Sequence, residues 1–136
     1  MKIGVYLEGS PEMGGGFFQS LKSSLLLLDI KKYNSEIELI ITHKKSKDYL
    51  IKKNIKNKFF KLNKVRNYFS RLFEIDYFRD FFNNIKLNHP FYSFIKKQKY
   101  DLIIFLGPSP MSKFCNEVAF ISNIWDLDYK KNSQFP

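Results

Sequence analysis

Short apolar runs alternate with segments of helical spacing along most of this chain. Ile3 to Leu7 is mostly apolar, is closed by Gly9, Ser10 and Pro11, and reads as a buried strand. After Gly14-Gly15-Gly16, the stretch Phe17 to Ile30 places Phe17, Leu21, Leu25 and Leu28 at helical spacing, with Phe18, Leu25 and Leu26 on a neighbouring row. Ile37 to Ile41 predicts a second buried strand, Ser46 to Lys53 a short helix, and Phe59 to Leu62 a short third strand. Val65 to Ile85 predicts a long aromatic helix. Tyr68/Phe69 and Leu72/Phe73 share one of its faces and Phe78 with Phe81/Phe82 another, so the phase slips and a break is expected near Glu74 to Asp76. Pro90 suits the first residue of a helix through Gln98, capped by Asn88 or His89. Leu102 to Leu106 is the clearest buried strand, ended by Gly107-Pro108-Ser109-Pro110, and Val118 to Ile124 is the last.

Continuous apolar strands separated by helices predict a mostly parallel sheet covered on both faces, an α/β, Rossmann-like fold. No internal repeat or linker divides the chain, so residues 1–136 read as one domain. Its last strand runs into Trp125-Asp126-Leu127-Asp128 and then a polar stretch without a closing helix. That ending predicts a domain incomplete at its C-terminal side.

Composition narrows the classes of function. The net charge of +10 invites an anionic partner. However, Lys far outnumbers Arg, and abundant Lys, Asn, Ile and Phe is what an AT-rich coding sequence produces. No recognition helix or aromatic RNA-binding strand motif is present, so nucleic acid is not the expected partner. Between Lys44 and Lys64 stand nine lysines and one acid, Asp48, followed by the aromatic helix candidate. This stretch is either a solvated basic face or a surface that adsorbs to anionic membrane. Aromatics at 18% exceed what one small domain readily hides, so some of them are expected to meet a partner, a membrane or a missing domain. With Cys115 the single cysteine, no internal disulfide can form and a reducing compartment is expected. No apolar stretch reaches membrane-spanning length, and the N-terminal apolar run is too short for a signal peptide. The expected location is cytoplasmic, at the inner face of the membrane if the basic stretch docks there.

Candidate chemistry gathers at the ends of the expected strands, where open α/β sheets bind ligands. Gly14, Gly15 and Gly16 join the first strand to the first helix, either as a permissive turn or as a site where backbone amides meet a phosphate or sugar oxygen. Neither a P-loop nor a dinucleotide fingerprint is present: no Lys-Ser/Thr follows the glycines, and the second strand ends in Thr42-His43-Lys44 without an acid. Ser109 either hydrogen-bonds a ligand or caps the segment Met111 to Asn116. Asp126 can orient a sugar hydroxyl, act as a base or cap a turn, and Trp125 can stack on a sugar ring or belong to the core. His43 and His89 are too far apart in sequence for a metal site, and no Cys/His/carboxylate spacing fits zinc or iron.

Taken in order, Ile3-Gly4-Val5 through Gly14-Gly15-Gly16-Phe17-Phe18-Gln19-Ser20-Leu21, Tyr100 to Leu106 with Ser109, and Ile124 to Leu127 with Phe135-Pro136 resemble the N-terminal half of a GT-B fold glycosyltransferase of the retaining family 4 type. The resemblance covers the whole chain, more loosely in the middle. It implies an acceptor-side domain of an enzyme that moves a sugar from a nucleotide-sugar donor to a polysaccharide or lipid-linked acceptor, with retention and without a metal or other cofactor. It further implies that the glycine turn lies near the donor's sugar or phosphates, and that a C-terminal donor-binding domain is missing. On that reading Asp126 is the catalytic candidate, while Gly14, Gly15, Gly16, Ser109 and Trp125 contact substrate. A histidine that the family often carries at or just after Trp125 is replaced here, where Asp128 stands at the later position. The alternatives are a stand-alone Rossmann-like module for a phosphorylated or sugar ligand, and a basic membrane-docking domain.

Overall fold

A parallel sheet organises the chain, in a computed structural model that describes residues 1–29, 35–61, 71–73, 75, 77 and 88–123. Its strands are β1 (Lys2–Leu7), β2 (Glu36–Ile41), β3 (Asn57–Phe59), β4 (Leu102–Phe105) and β5 (Ala119–Ser122), in the order β3-β2-β1-β4-β5. Every neighbouring pair runs parallel, with Ile3 facing both Ile37 and Leu102, and Tyr6 facing Ile40 and Phe105. The fold is therefore α/β and Rossmann-like. The order reverses between β1 and β4: the chain builds outward from β1 to β3, then crosses back to lay β4 on the other side.

Side-chain alternation along the strands supplies both faces of the sheet with apolar surface. Val5, Leu7, Leu39 and Ile41 point to one side, where they meet Phe17 and Leu21 of α1 (Gly15–Asp29) and Leu50 of α2 (Lys44–Lys52). Tyr6, Ile40, Ile103 and Phe105 point to the other, where Phe91, Tyr92 and Ile95 of α3 (Pro90–Lys97) cover them. Helices thus lie on both faces. At Gly4 the neighbouring strands leave no room, since a Cβ would stand 2.6 Å from Ile40 Cδ1 and 2.8 Å from Ile103 Cδ1. Glycine is there for packing.

The helices start where local chemistry starts them. Pro90 occupies the first turn of α3 and His89 is its cap, the Phe91 amide donating to His89 Nδ1 at 3.1 Å. The imidazole stacks on Phe114 with centroids 3.8 Å apart. Burial holds its pKa down at about 4. Helix α1 begins at Gly15, two residues before the apolar row opens, so Gly15 and Gly16 are helical and only Gly14 belongs to the turn. In that turn Gly14 has φ of 70°, a conformation that L side chains rarely adopt.

Three details depart from the sequence expectation. Strand β3 is centred on Asn57 to Phe59, with Phe60 turned into the core just beyond it. Of the second aromatic row of α1, Phe18 and Leu26 are 44% and 62% exposed. Finally, β5 is shorter than the expected strand Val118 to Ile124 and, among the described residues, forms an edge of the sheet with Ala119, Phe120 and Ile121 exposed. Most of the aromatic helix expected over Val65 to Ile85 lies outside the described residues, as do Trp125, Asp126 and the stretch 124–136.

Candidate functional site

In a parallel sheet whose order reverses, the loops after the two strands at the reversal turn to opposite faces and leave a crevice between them. Here those strands are β1 and β4, and a cleft of about 260 Å³ opens beyond their carboxyl ends. Tyr6 and Glu8 supply its β1 side, and Leu106, Gly107 and Pro108 its β4 side. Met13, Gly16, Phe17 and Ser20 close it from the start of α1. The walls are largely apolar, and Tyr6 and Phe17 at their border are themselves only 4% and 3% exposed.

The glycines contribute backbone at the mouth. Apart from the adjoining residues and the backbone of α1 itself, nothing lies within 4 Å of a Cβ placed on Gly15 or Gly16. Glycine in a helix costs up to about 1 kcal/mol relative to alanine, and internal packing does not require it at either position. The first amides of α1 also have no intrahelical acceptor, so the helix presents N–H groups and the positive end of its dipole at this rim.

Beside the cleft, polar side chains from three strand ends converge: Tyr6 near the end of β1 with Glu8 just after it, Thr42 after β2 and Ser109 after β4. Glu8 is exposed over the residue as a whole, yet loss of water around its carboxyl raises its pKa above the ordinary carboxylate value, with the Ser109 hydroxyl opposing. Burial raises the Tyr6 hydroxyl, the Glu8 charge adds to this, and Thr42 and Ser109 pull the other way. Tyr6 therefore stays protonated and can donate, whereas Glu8 accepts when ionised.

Ser109 is buried and has a second duty, accepting the Met111 amide at 3.3 Å to start the 3-10 turn Pro110–Phe114. Of its two sequence roles the structure shows the cap, and the Ser109 hydroxyl also stands beside the Glu8 carboxyl. Among the glycines, Gly16 lines the cleft, Gly15 precedes it on the same turn, and Gly14 sets the turn itself. The structure brings Gly14 to Gly16 and Ser109 to one end of the sheet.

Tyr6, Glu8 and Thr42 do not stand out in the sequence. Tyr6 reads as one more position of a buried strand, Glu8 as the opening of a turn, and Thr42 as the end of a strand. The available signal is a carboxylate directly after the buried Leu7, at a strand end. Among the described residues, no group of three or more His, Cys, Asp or Glu stands together to hold a metal. His43 opens α2 without a side-chain cap, and Cys115 is buried with its thiol pushed up to about 11. No described helix is long and apolar enough to cross a membrane. No protein-family model, no curated protein and no solved structure matches the chain.

Proposed function

We propose that the chain binds a sugar-bearing ligand in the β1/β4 cleft, as the acceptor-side domain of a glycosyltransferase that moves a sugar from a nucleotide donor with retention. The observation that supports this most is the position of the cleft: it lies at the point where strand order reverses, with helical glycines at its mouth that internal packing does not need. A largely apolar lining suits the apolar faces of a sugar ring. Tyr6 donates and Glu8 accepts, the pair of functions that ring hydroxyls require. A second, donor-binding domain completes the site in this reading, and no metal is needed.

Binding in the cleft tests the proposal directly. Amide spectra recorded with a panel of nucleotide sugars, phosphosugars and methyl glycosides should show shifts confined to Gly16, Phe17, Gly107 and their neighbours. If no compound moves these signals, the reading fails.

The basic stretch supports a membrane-proximal location, at the cytoplasmic face. Lys44, Lys52, Lys53, Lys56 and Lys61 are exposed and form no ion pair among the described residues. Such a surface would hold the enzyme beside a lipid-linked acceptor.

A further inference from the structure

One lining residue of the cleft carries charge, and its sign bears on what the cleft can hold. Glu8 stands among Tyr6, Phe17, Leu106 and Pro108, and no described cation lines the cavity beside it. Lys45 of α2 is paired with Glu12 of the turn before α1, and neither lines the cavity. A phosphate placed against Glu8 would meet a like charge, and the positive end of the α1 dipole lies at the rim rather than beside the carboxylate. A neutral ring with several hydroxyls meets no such penalty. It can donate to the carboxylate and accept from the Tyr6 hydroxyl, and its apolar face suits the apolar lining.

We infer that Glu8 is the specificity-determining residue of the cleft, accepting hydrogen bonds from a neutral sugar and excluding phosphate from the cleft floor. This rests on the sugar-binding reading above and sharpens it: the cleft takes the sugar part of a ligand, and any phosphate lies outside it. The proximity of the Ser109 and Tyr6 side chains fixes the carboxylate's surroundings, so its role depends on placement as well as charge.

The test compares methyl glycosides, inorganic phosphate and UDP by shifts of the Gly16, Phe17 and Gly107 amides in the wild-type chain, in Glu8→Ala and in Glu8→Gln. Methyl glycosides should move these signals in the wild type, while phosphate and UDP should not. Glu8→Ala should weaken glycoside binding about tenfold, as expected for losing a hydrogen bond to a charged acceptor. Glu8→Gln, which keeps an acceptor but removes the charge, should admit phosphate to the cleft. Phosphate or UDP binding there in the wild type, in preference to glycosides, overturns the inference while leaving ligand binding in the cleft intact. Glycoside binding unchanged in Glu8→Ala overturns it too. No shift with any compound removes both readings. Should a variant fail to fold, the wild-type comparison of glycosides with phosphate still decides.

Discussion

His89 shows how much one side chain can tie together. It caps α3 through Nδ1, stacks on Phe114 in the turn after β4 and meets Phe73 edge-on. A cap that accepts from an amide must be neutral at that nitrogen, and burial keeps the ring so. The pKa is about 4 when folded against 6.5 for an ordinary histidine, so the unfolded chain binds the extra proton between these values. Stability from this group is complete well above pH 6.5 and is lost as pH falls toward 4, by about 3 kcal/mol. His89→Asn retains a capping acceptor but not the titration. The difference in denaturation free energy between wild type and His89→Asn should shrink by that amount from pH 7 to pH 4; a constant difference would refute the assignment. Gly16 illustrates the opposite case, a residue the fold does not require. Gly16→Ala should raise stability by up to about 1 kcal/mol through helix propensity, yet weaken ligand binding because its methyl occupies the mouth of the cleft. Thermal melts and amide titrations measure the two effects separately.

At the scale of elements, the two ends of the sheet are built differently. The amino end is closed by charge: Glu38 of β2 accepts the Tyr100 hydroxyl at 2.9 Å and pairs with Lys2 at 3.2 Å and Lys58 at 3.7 Å. Burial alone would raise the Glu38 pKa, but Tyr100 and the two lysines outweigh it and leave the carboxyl below its ordinary value. Glu38→Ala strands the Tyr100 hydroxyl and should cost about 2–3 kcal/mol, whereas Glu38→Gln keeps an acceptor and should cost about 1 kcal/mol. Chemical denaturation of both variants checks the order; equal losses would mean that the ion pairs dominate. The carboxyl end instead leaves its polar groups facing a cavity. Much of this division was legible in the sequence. The runs Ile3 to Leu7 and Leu102 to Leu106 identify β1 and β4, and Pro90 marks the start of α3. The exposed face of β5 was not legible, because an apolar run carries no mark of whether a neighbour covers it. Nor was the Glu38–Tyr100 bond, which joins residues 62 positions apart and obeys no local rule. The site was half legible: the glycines announce themselves by composition, but Glu8 and Thr42 acquire meaning only when strands from separate parts of the chain come side by side.

For the molecule as a whole, the net charge is +10, and among the described residues Lys44 and Lys52 of α2 and Lys53, Lys56 and Lys61 after it are exposed without an ion pair. At roughly 1 kcal/mol per lysine near an anionic surface, three of them suffice for measurable adsorption. Vesicles containing phosphatidylserine should co-sediment the protein, with binding weakened by salt and reduced at least tenfold by combined Lys52→Glu, Lys53→Glu and Lys56→Glu. Equal binding to neutral phosphatidylcholine vesicles would exclude this electrostatic docking. None of these three lysines lines the cleft, so the amide shifts with glycosides should persist in the triple variant.

The strand order also dictates a history for each molecule. Strand β1 is central in the finished sheet, yet it leaves the ribosome first and receives one of its two neighbours last: the Lys2 amide bonds to Asp101, 99 residues later. At bacterial-to-eukaryotic synthesis speeds of about 5–20 residues per second, the β4 side of β1 waits roughly 5–20 s for its partner. Throughout that interval it is an open strand edge with an apolar sequence, the feature most prone to pairing with another chain. Gain or loss of soluble protein on changing expression temperature would therefore be governed by this nascent interval more than by the equilibrium stability of the completed fold.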